Sequence, residues 1–426
     1  MTIDATAPNR RFTTLDQFFL SCLWLGYNLQ WGALLAIVLP SQIQAMVGPD
    51  KKELYNGILG AIGAMAALFV TPIAGALSDR SRSPMGRRRP FLIVGAIINA
   101  VFLLYLARFG AGGHFWLFLL GYIGIQFGCN WLGGPYAGMI PDVVPADMVG
   151  RASGWQALMN AAGFLIGAVA AGSLIRGSNY WPIYLLILVC MSASLAVTVL
   201  GTRERPIPGK PEPFKLGAFI RSFWLDPKTH RNFYWVLITR GFQAMGVYSI
   251  FTFFQYFLAD VIRVPKDQVE TQTGYLIAII IAMGIPTSII AGALSDKHGR
   301  KPLVYLSGGI MAVASAIFIA VGFFPSLGFT FAVAALFGIG NGAYQAVDWA
   351  LAVDVLPAGD DSAKDMGIWH VAFVLPQVIA PLVTGLTLSA FKQQGLLMAG
   401  YTTVFVMTAI WFVLATVFVR QIRGVR

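Results

Sequence analysis

The 426 residues are 57% hydrophobic and 12% charged, about half the charged share of a soluble domain, which excludes a chain that covers itself with a water-facing surface. A net charge of +11 would suit a nucleic-acid binder, but the basic residues gather on one side of a series of apolar segments, so no nucleic-acid partner is expected. The expected solvent is the lipid bilayer.

Met1 to Arg11 is polar and short, without the apolar core or small-residue cleavage site of a signal peptide, so the first apolar segment is expected to direct insertion. From there, runs long enough to cross about 30 Å of hydrocarbon, roughly 20 residues each, recur with short polar breaks. Twelve are expected, at 15–40, 54–78, 90–109, 115–140, 150–176, 181–201, 231–259, 271–295, 301–322, 326–354, 364–391 and 397–420. They read as helices, because a barrel strand needs only about 10 alternating residues. Cys22, Cys129 and Cys190 all fall inside these runs and read as small buried hydrophobes.

The longest polar interval, Thr202 to His230, carries Pro206, Pro208, Pro211 and Pro213 and divides the spans six and six. The expected organisation is an amino-terminal bundle 1–201, a cytoplasmic linker 202–230 and a carboxyl-terminal bundle 231–426. Within the linker, Leu216 to Trp224 reads either as an amphipathic turn on the membrane surface or as plain linker. With both termini placed in the cytoplasm, 22 of the Lys and Arg residues lie on that side and 7 on the other, as the positive-inside rule requires. The expected location is the cell membrane, or the inner membrane of a bacterium.

An internal repeat supports the division. Gly75-Ala-Leu-Ser-Asp79-Arg80 recurs as Gly292-Ala-Leu-Ser-Asp296-Lys297 at an offset of 217, each copy after the second span of its half. Each is followed by a glycine and basic cluster, Gly86-Arg87-Arg88-Arg89-Pro90 and Gly299-Arg300-Lys301-Pro302. After the fourth span of each half, Asp142-Val-Val-Pro145 answers Asp354-Val-Leu-Pro357 at an offset of 212.

This signature on two six-span halves resembles the major facilitator superfamily. Gly86 to Pro90, with Trp31 and Pro40 in the first span, is similar to the sucrose/proton symporters and the related glycoside/pentoside/hexuronide cation symporters. The resemblance implies an all-α membrane fold of twelve helices in two pseudo-symmetric bundles. It also implies a cytoplasmic gate of Gly75, Asp79, Arg80, Arg87, Asp142, Gly292, Asp296, Arg300 and Asp354 that latches the halves. Arg87 and Arg300 are the expected near partners of Asp79 and Asp296, while Arg88, Arg89 and Lys301 read as orientation signals. No Asp or Glu lies between Asn56 and Asp79, where the glycoside group carries cation-binding carboxylates, which disfavours sodium as the coupling ion.

Arg240 and Asp348 stand well inside the hydrocarbon, where each charge costs about 2.5–3.5 kcal/mol on insertion scales. Each lies nine residues from a cytoplasmic marker, Arg231 and Pro357, so both sit about 13 Å deep at 1.5 Å per residue. They read as a pair in which Asp348 exchanges the coupling proton and Arg240 is its counter-ion; a static pair that fixes helix packing is the other reading. Polar and aromatic residues at helical spacing mark a substrate cavity: Tyr27, Gln30 and Trp31; Gln126, Asn130, Trp131 and Tyr136; Gln243; Asn341 and Tyr344; and Trp369, Phe373 and Gln377. Amides beside aromatic rings suit a neutral polyol, although the same residues could glue helices together at about 0.6 kcal/mol each.

No nucleophile and base constellation, metal spacing or phosphate-cradling loop is present in the sequence, so neither an enzyme nor a cofactor is expected. The expected function is proton-coupled import of a sugar or glycoside by a monomer in the bilayer, with a proton-driven exporter of a drug or metabolite as the alternative.

Overall fold

The computed structural model describes residues 13–110, 114–145, 148–202, 204, 217, 230–355 and 362–423, without the side chains of 141, 349–350, 352–355, 362–371 and 373. Twelve long helices run through these residues. In the amino-terminal half they are α1 (Thr14–Val47), α2 (Lys52–Arg80), α3 (Arg89–Phe109), α4 (Phe115–Ala137), α5 (Val149–Leu174) and α6 (Trp181–Gly201). The carboxyl-terminal half contributes α7 (Arg231–Asp260), α8 (Val269–His298), α9 (Arg300–Phe323), α10 (Leu327–Val355), α11 (Ser362–Gln393) and α12 (Leu397–Phe418). Eleven of these include a stretch long and apolar enough to cross a membrane. The remaining one, α7, is long enough at 30 residues, and Arg240, Gln243 and Gln255 dilute its apolar character.

Helix α1 departs from the expected end at Pro40. Proline lacks the N–H that would bond the Ala36 carbonyl, yet the chain stays helical to Val47 because Leu34–Val38 widens into a π turn that absorbs the mismatch. The start of α1 is fixed by a reciprocal cap, Asp16 N–H donating to Thr13 Oγ1 (3.3 Å) and Thr13 N–H to the Asp16 carboxylate (2.8 Å). The linker 202–230, apart from Thr202, Glu204, Gly217 and His230, lies outside the described residues.

Each bundle has its own apolar core. In the first, α1 packs on α5 and α6, and α4 on α2 and α3; in the second, α8 and α9 pack on α10, and α7 and α9 on α12. Between bundles, α2 lies against α11 and α5 against α8. The closest approach is near the face opposite the termini, here the distal face. A Cβ on Gly57 would lie 2.6 Å from the Pro381 carbonyl oxygen, and one on Gly385 2.5 Å from that of Glu53. Only hydrogen side chains let these backbones meet.

Candidate functional site

On the terminal face, each half folds its repeated loop in the same manner. Ser78 Oγ donates to the Gly75 carbonyl and Ser295 Oγ to that of Gly292, both at 2.8 Å, and each serine accepts from an arginine, Arg88 or Arg300, both at 2.7 Å. Arg300 also pairs with Asp296 at 2.5 Å. In the first half the sequence expectation needs correction: the arginine beside Asp79 is Arg88 (2.7 Å), whereas Arg87 turns to Asp142. The cause is loop register. Glycines at φ +102° and +93°, Gly86 and Gly299, turn both loops, but the first runs two residues further before its arginine meets the serine, and the second runs one.

Arg88 is therefore more than an orientation signal. It is 5% exposed, also donates to Asp142 (2.9 Å), and its backbone N–H bonds the Glu204 carboxylate (2.9 Å). Burial pushes the Asp142 carboxyl up, but hydrogen bonds from Arg87 and Arg88 outweigh it and hold the group below its ordinary range. Donating to Asp142 in turn raises Arg87 above its ordinary value. Arg80 donates to the Ala76 carbonyl (2.7 Å). Each of these pairs lies within one half. The Asp354 side chain lies outside the described residues.

Between the halves is a cavity of about 630 Å³, lined by helices of both. Among the described residues its polar lining is uncharged: Asn28, Asn56, Tyr122, Gln126 and Asn160 from the first half, and Tyr248, Thr252, Asn341, Gln345, Gln377 and Ser288 from the second. Asn28 Nδ2 donates to Asn160 Oδ1 at 2.7 Å, so part of this surface is preorganised. Of the sequence candidates, Gln126, Asn341 and Gln377 line the cavity.

Others do not reach it. Gln30 is fully buried against Asn99 (2.8 and 3.2 Å) and Cys129. Tyr136 donates to the Leu20 carbonyl (2.6 Å), Gln243 packs on Met311, and Asn130 binds Thr71 and the Gln126 carbonyl. Trp131 is stacked between Phe91 and Phe127, which places it among the rings of α3 and α4. Tyr27 and Trp31 meet edge to face beside Trp24. These side chains pack on one another inside a bundle, the helix-gluing role that composition could not separate from ligand contact, although among the described residues the Trp24 and Trp131 indole N–H groups and the Gln243 amide oxygen are buried without a hydrogen-bond partner. The side chains of Trp369 and Phe373 lie outside the described residues. Asn28, Asn56, Asn160 and Gln345 were missed; isolated amides in apolar runs were the signal that could have found them.

Arg240 and Asp348 form an ion pair across α7 and α10. Asp348 is 3% exposed and accepts a second hydrogen bond from Tyr344 Oη at 2.9 Å. The pair sits beside the cavity: Gln345, three residues before Asp348, is in its wall, as is Tyr248, two turns along α7 from Arg240.

The distal end is closed by polar contacts between halves that sequence reading did not foresee. Lys52 pairs with Asp260 (2.6 Å), and Glu53 with Lys392 (2.7 Å), with Lys52 and Glu53 almost fully buried. Tyr401 Oη supports Asp260 at 2.9 Å, and Asn56 donates to the Thr252 carbonyl at 3.0 Å. These residues lie at helix ends, where a charge reads by default as solvated.

A family model, Major Facilitator Superfamily, matches residues 20–361 and again 270–424. The chain belongs to this superfamily. Among its curated relatives in the superfamily, Sucrose transport protein SUT5 of Oryza sativa subsp. indica is 24% identical over 503 aligned positions, covering 99% of this chain and 91% of that protein. Proton-associated sugar transporter A of Homo sapiens is 30% identical over 221 positions, 47% of this chain and 29% of that protein. Solved superfamily structures share the fold. A bacterial homologue of the human lysosomal transporter Spinster, inward-facing and occupied, superposes with a TM-score of 0.73 at 16% identity, covering 97% of each chain. The nucleoside transporter NupG gives 0.71 at 13% identity, covering 97% of this chain and 100% of that one. The superfamily model and these relatives are of transporters, and the chain is accordingly a multi-pass membrane protein.

Proposed function

We propose that this superfamily member is a proton-coupled symporter that imports a sugar or glycoside by alternating access. Asp348 exchanges the proton and Arg240 is the counter-ion that takes over its charge balance. The observation that carries this reading is the enclosed Arg240–Asp348 pair one turn from a cavity whose lining, among the described residues, is uncharged. A neutral, hydroxyl-rich solute can satisfy amides such as Gln126, Asn341 and Gln377, while Phe164 and Phe251 offer ring faces to its C–H surface. The sugar transport of the relatives supports the same substrate class.

In the cycle, protonation of Asp348 frees Arg240 from the pair, so a proton and a bound solute together change the contacts between α7 and α10. The proton is the coupling ion, not sodium. With the termini in the cytoplasm of a cell-membrane carrier, the closed distal face is the outside, and this conformation is inward-facing. The cavity is built within one chain, so a monomer suffices. Residues 1–201 and 231–426 act as the two moving units, with Asp79, Asp142 and Asp296 bracing the loops on which each turns.

The test is uptake into proteoliposomes by a panel of mono- and disaccharides under an imposed pH gradient. The expected result is sugar accumulation driven by the gradient, with sugar-induced alkalinisation of the external medium. Gradient-driven extrusion of a drug or metabolite, without sugar-linked proton entry, would establish the exporter instead.

A further inference from the structure

Tyr122, Gln126 and Asn130 stand one turn apart on one face of α4, and their side chains bond in series toward the cavity. The series can be read outward from a fixed point. Asn130 Nδ2 lies 2.7 Å from the backbone carbonyl oxygen of Gln126, and a carbonyl only accepts, so the amide nitrogen of Asn130 must face it. The same nitrogen gives its other hydrogen to Gln126 Oε1 at 3.0 Å, and Asn130 Oδ1 accepts from Thr71 Oγ1 of α2 at 2.9 Å. Gln126 is thereby oriented as well: its oxygen is turned to Asn130, and its nitrogen donates to Tyr122 Oη at 2.8 Å. Turning Asn130 over sets oxygen against oxygen at the backbone carbonyl, turning Gln126 over sets nitrogen against nitrogen, and turning both leaves the first clash in place.

Tyr122 Oη therefore accepts from Gln126, and its own hydrogen must go elsewhere. Among the described residues its oxygen makes no other hydrogen bond. The ring has little room to swing, because it packs so closely on Gly63 of α2 that a Cβ there would overlap it. Tyr122 and Gln126 both line the cavity between the halves, so the hydroxyl they share stands at its wall. We infer that Tyr122 is a solute-contacting donor, aimed into the cavity by Asn130 through Gln126, and that it recognises an acceptor oxygen of the bound solute.

A donor held in this way selects the chemistry opposite it. A ring, glycosidic or hydroxyl oxygen of a sugar satisfies it, whereas a methylene or an ammonium in the same place leaves it bare. Asn130 and Thr71 stand behind the wall and act as positioning residues: they hold the direction of the series, and each bond polarises the next, which strengthens Tyr122 as a donor. Reverse the series and Tyr122 would give its hydrogen to Gln126 and face the cavity as an acceptor. The inference rests on the sugar-transport reading only in the class of solute it names.

The experiment measures binding of methyl α-glucoside to the purified full chain by calorimetry, beside analogues in which one oxygen at a time is replaced by hydrogen, by fluorine or, in the ring, by a methylene. In the wild type one deletion is expected to weaken binding about three- to tenfold, the loss of one neutral hydrogen bond. Tyr122→Phe should weaken the parent glucoside by the same factor and bind that one analogue as the wild type does. If the oxygen is a hydroxyl, its fluorine analogue, which accepts but cannot donate, should keep part of the affinity. A second readout needs no ligand. Raman difference spectra against Tyr122→Phe isolate the Fermi doublet of this tyrosine, whose intensity ratio reports whether the phenol donates or accepts. Asn130→Ala, which leaves Gln126 free to turn its oxygen to Tyr122, should move the ratio toward that of a phenol that only donates, and should weaken the glucoside. A Tyr122→Phe variant that weakens every analogue alike, or a doublet that Asn130→Ala leaves in place, would overturn the inference. A chain that binds no glucoside counts against the sugar reading, and the doublet then still decides whether the donor is aimed.

Discussion

At the scale of single residues, surroundings decide what a charge does. Arg240 and Asp348 were legible because two charges at matched depth in apolar spans have few reasons to be there except each other. Arg88 was not legible among three consecutive arginines, since its role depends on the turn at Gly86 and on Glu204 from the linker. Arg88→Ala leaves Asp79 and Ser78 without that partner, and should cost about 1–3 kcal/mol, read as a fall in melting temperature in detergent. Arg87→Ala, at a side chain 21% exposed against 7% for Arg88, should cost clearly less. Asp142 titrates below its ordinary value in the folded chain. Its contribution to stability is therefore complete above the unfolded carboxylate range and lost as pH falls through the depressed folded value. The stability gap between wild type and Asp142→Asn should thus be constant from neutral pH to about pH 5 and shrink only in stronger acid, as thermal melts across pH will show.

Helices were predictable from apolar length, and their interruptions were not. The sequence places an end of the first span at Pro40, because a proline deletes a backbone bond; the structure carries α1 on to Val47 through a π turn and a staple from another helix. No local pattern announces that staple, for Gln255 is over two hundred positions away. The amides illustrate the same limit. Gln30 and Gln126 lie on equally apolar helices, and only packing sends one to Asn99 and the other to the cavity. Gln255→Leu would strand the Ala36 and Ile37 carbonyls, at about 1–3 kcal/mol for such a loss. The expected outcome is a population shifted toward distal opening, measured as faster labelling of a cysteine introduced at Ala36.

For the whole molecule, the twofold repeat in the sequence is the twofold construction of the fold, and the interface between halves is where the proposed alternating access would act. The repeat does not forecast which face is closed, because that depends on cross-half contacts such as Lys52 with Asp260 that have no sequence signature. Gly57→Val would place methyl groups against the Pro381 backbone and should hold α2 and α11 apart, trapping the carrier distally open and slowing net transport at least tenfold while leaving each bundle folded. The central claim is that Asp348 links solute movement to the proton. Its most direct test is Asp348→Asn in proteoliposomes, with equilibrium exchange and gradient-driven accumulation measured side by side. The account predicts that exchange persists and accumulation disappears; uphill accumulation at the wild-type level would contradict it.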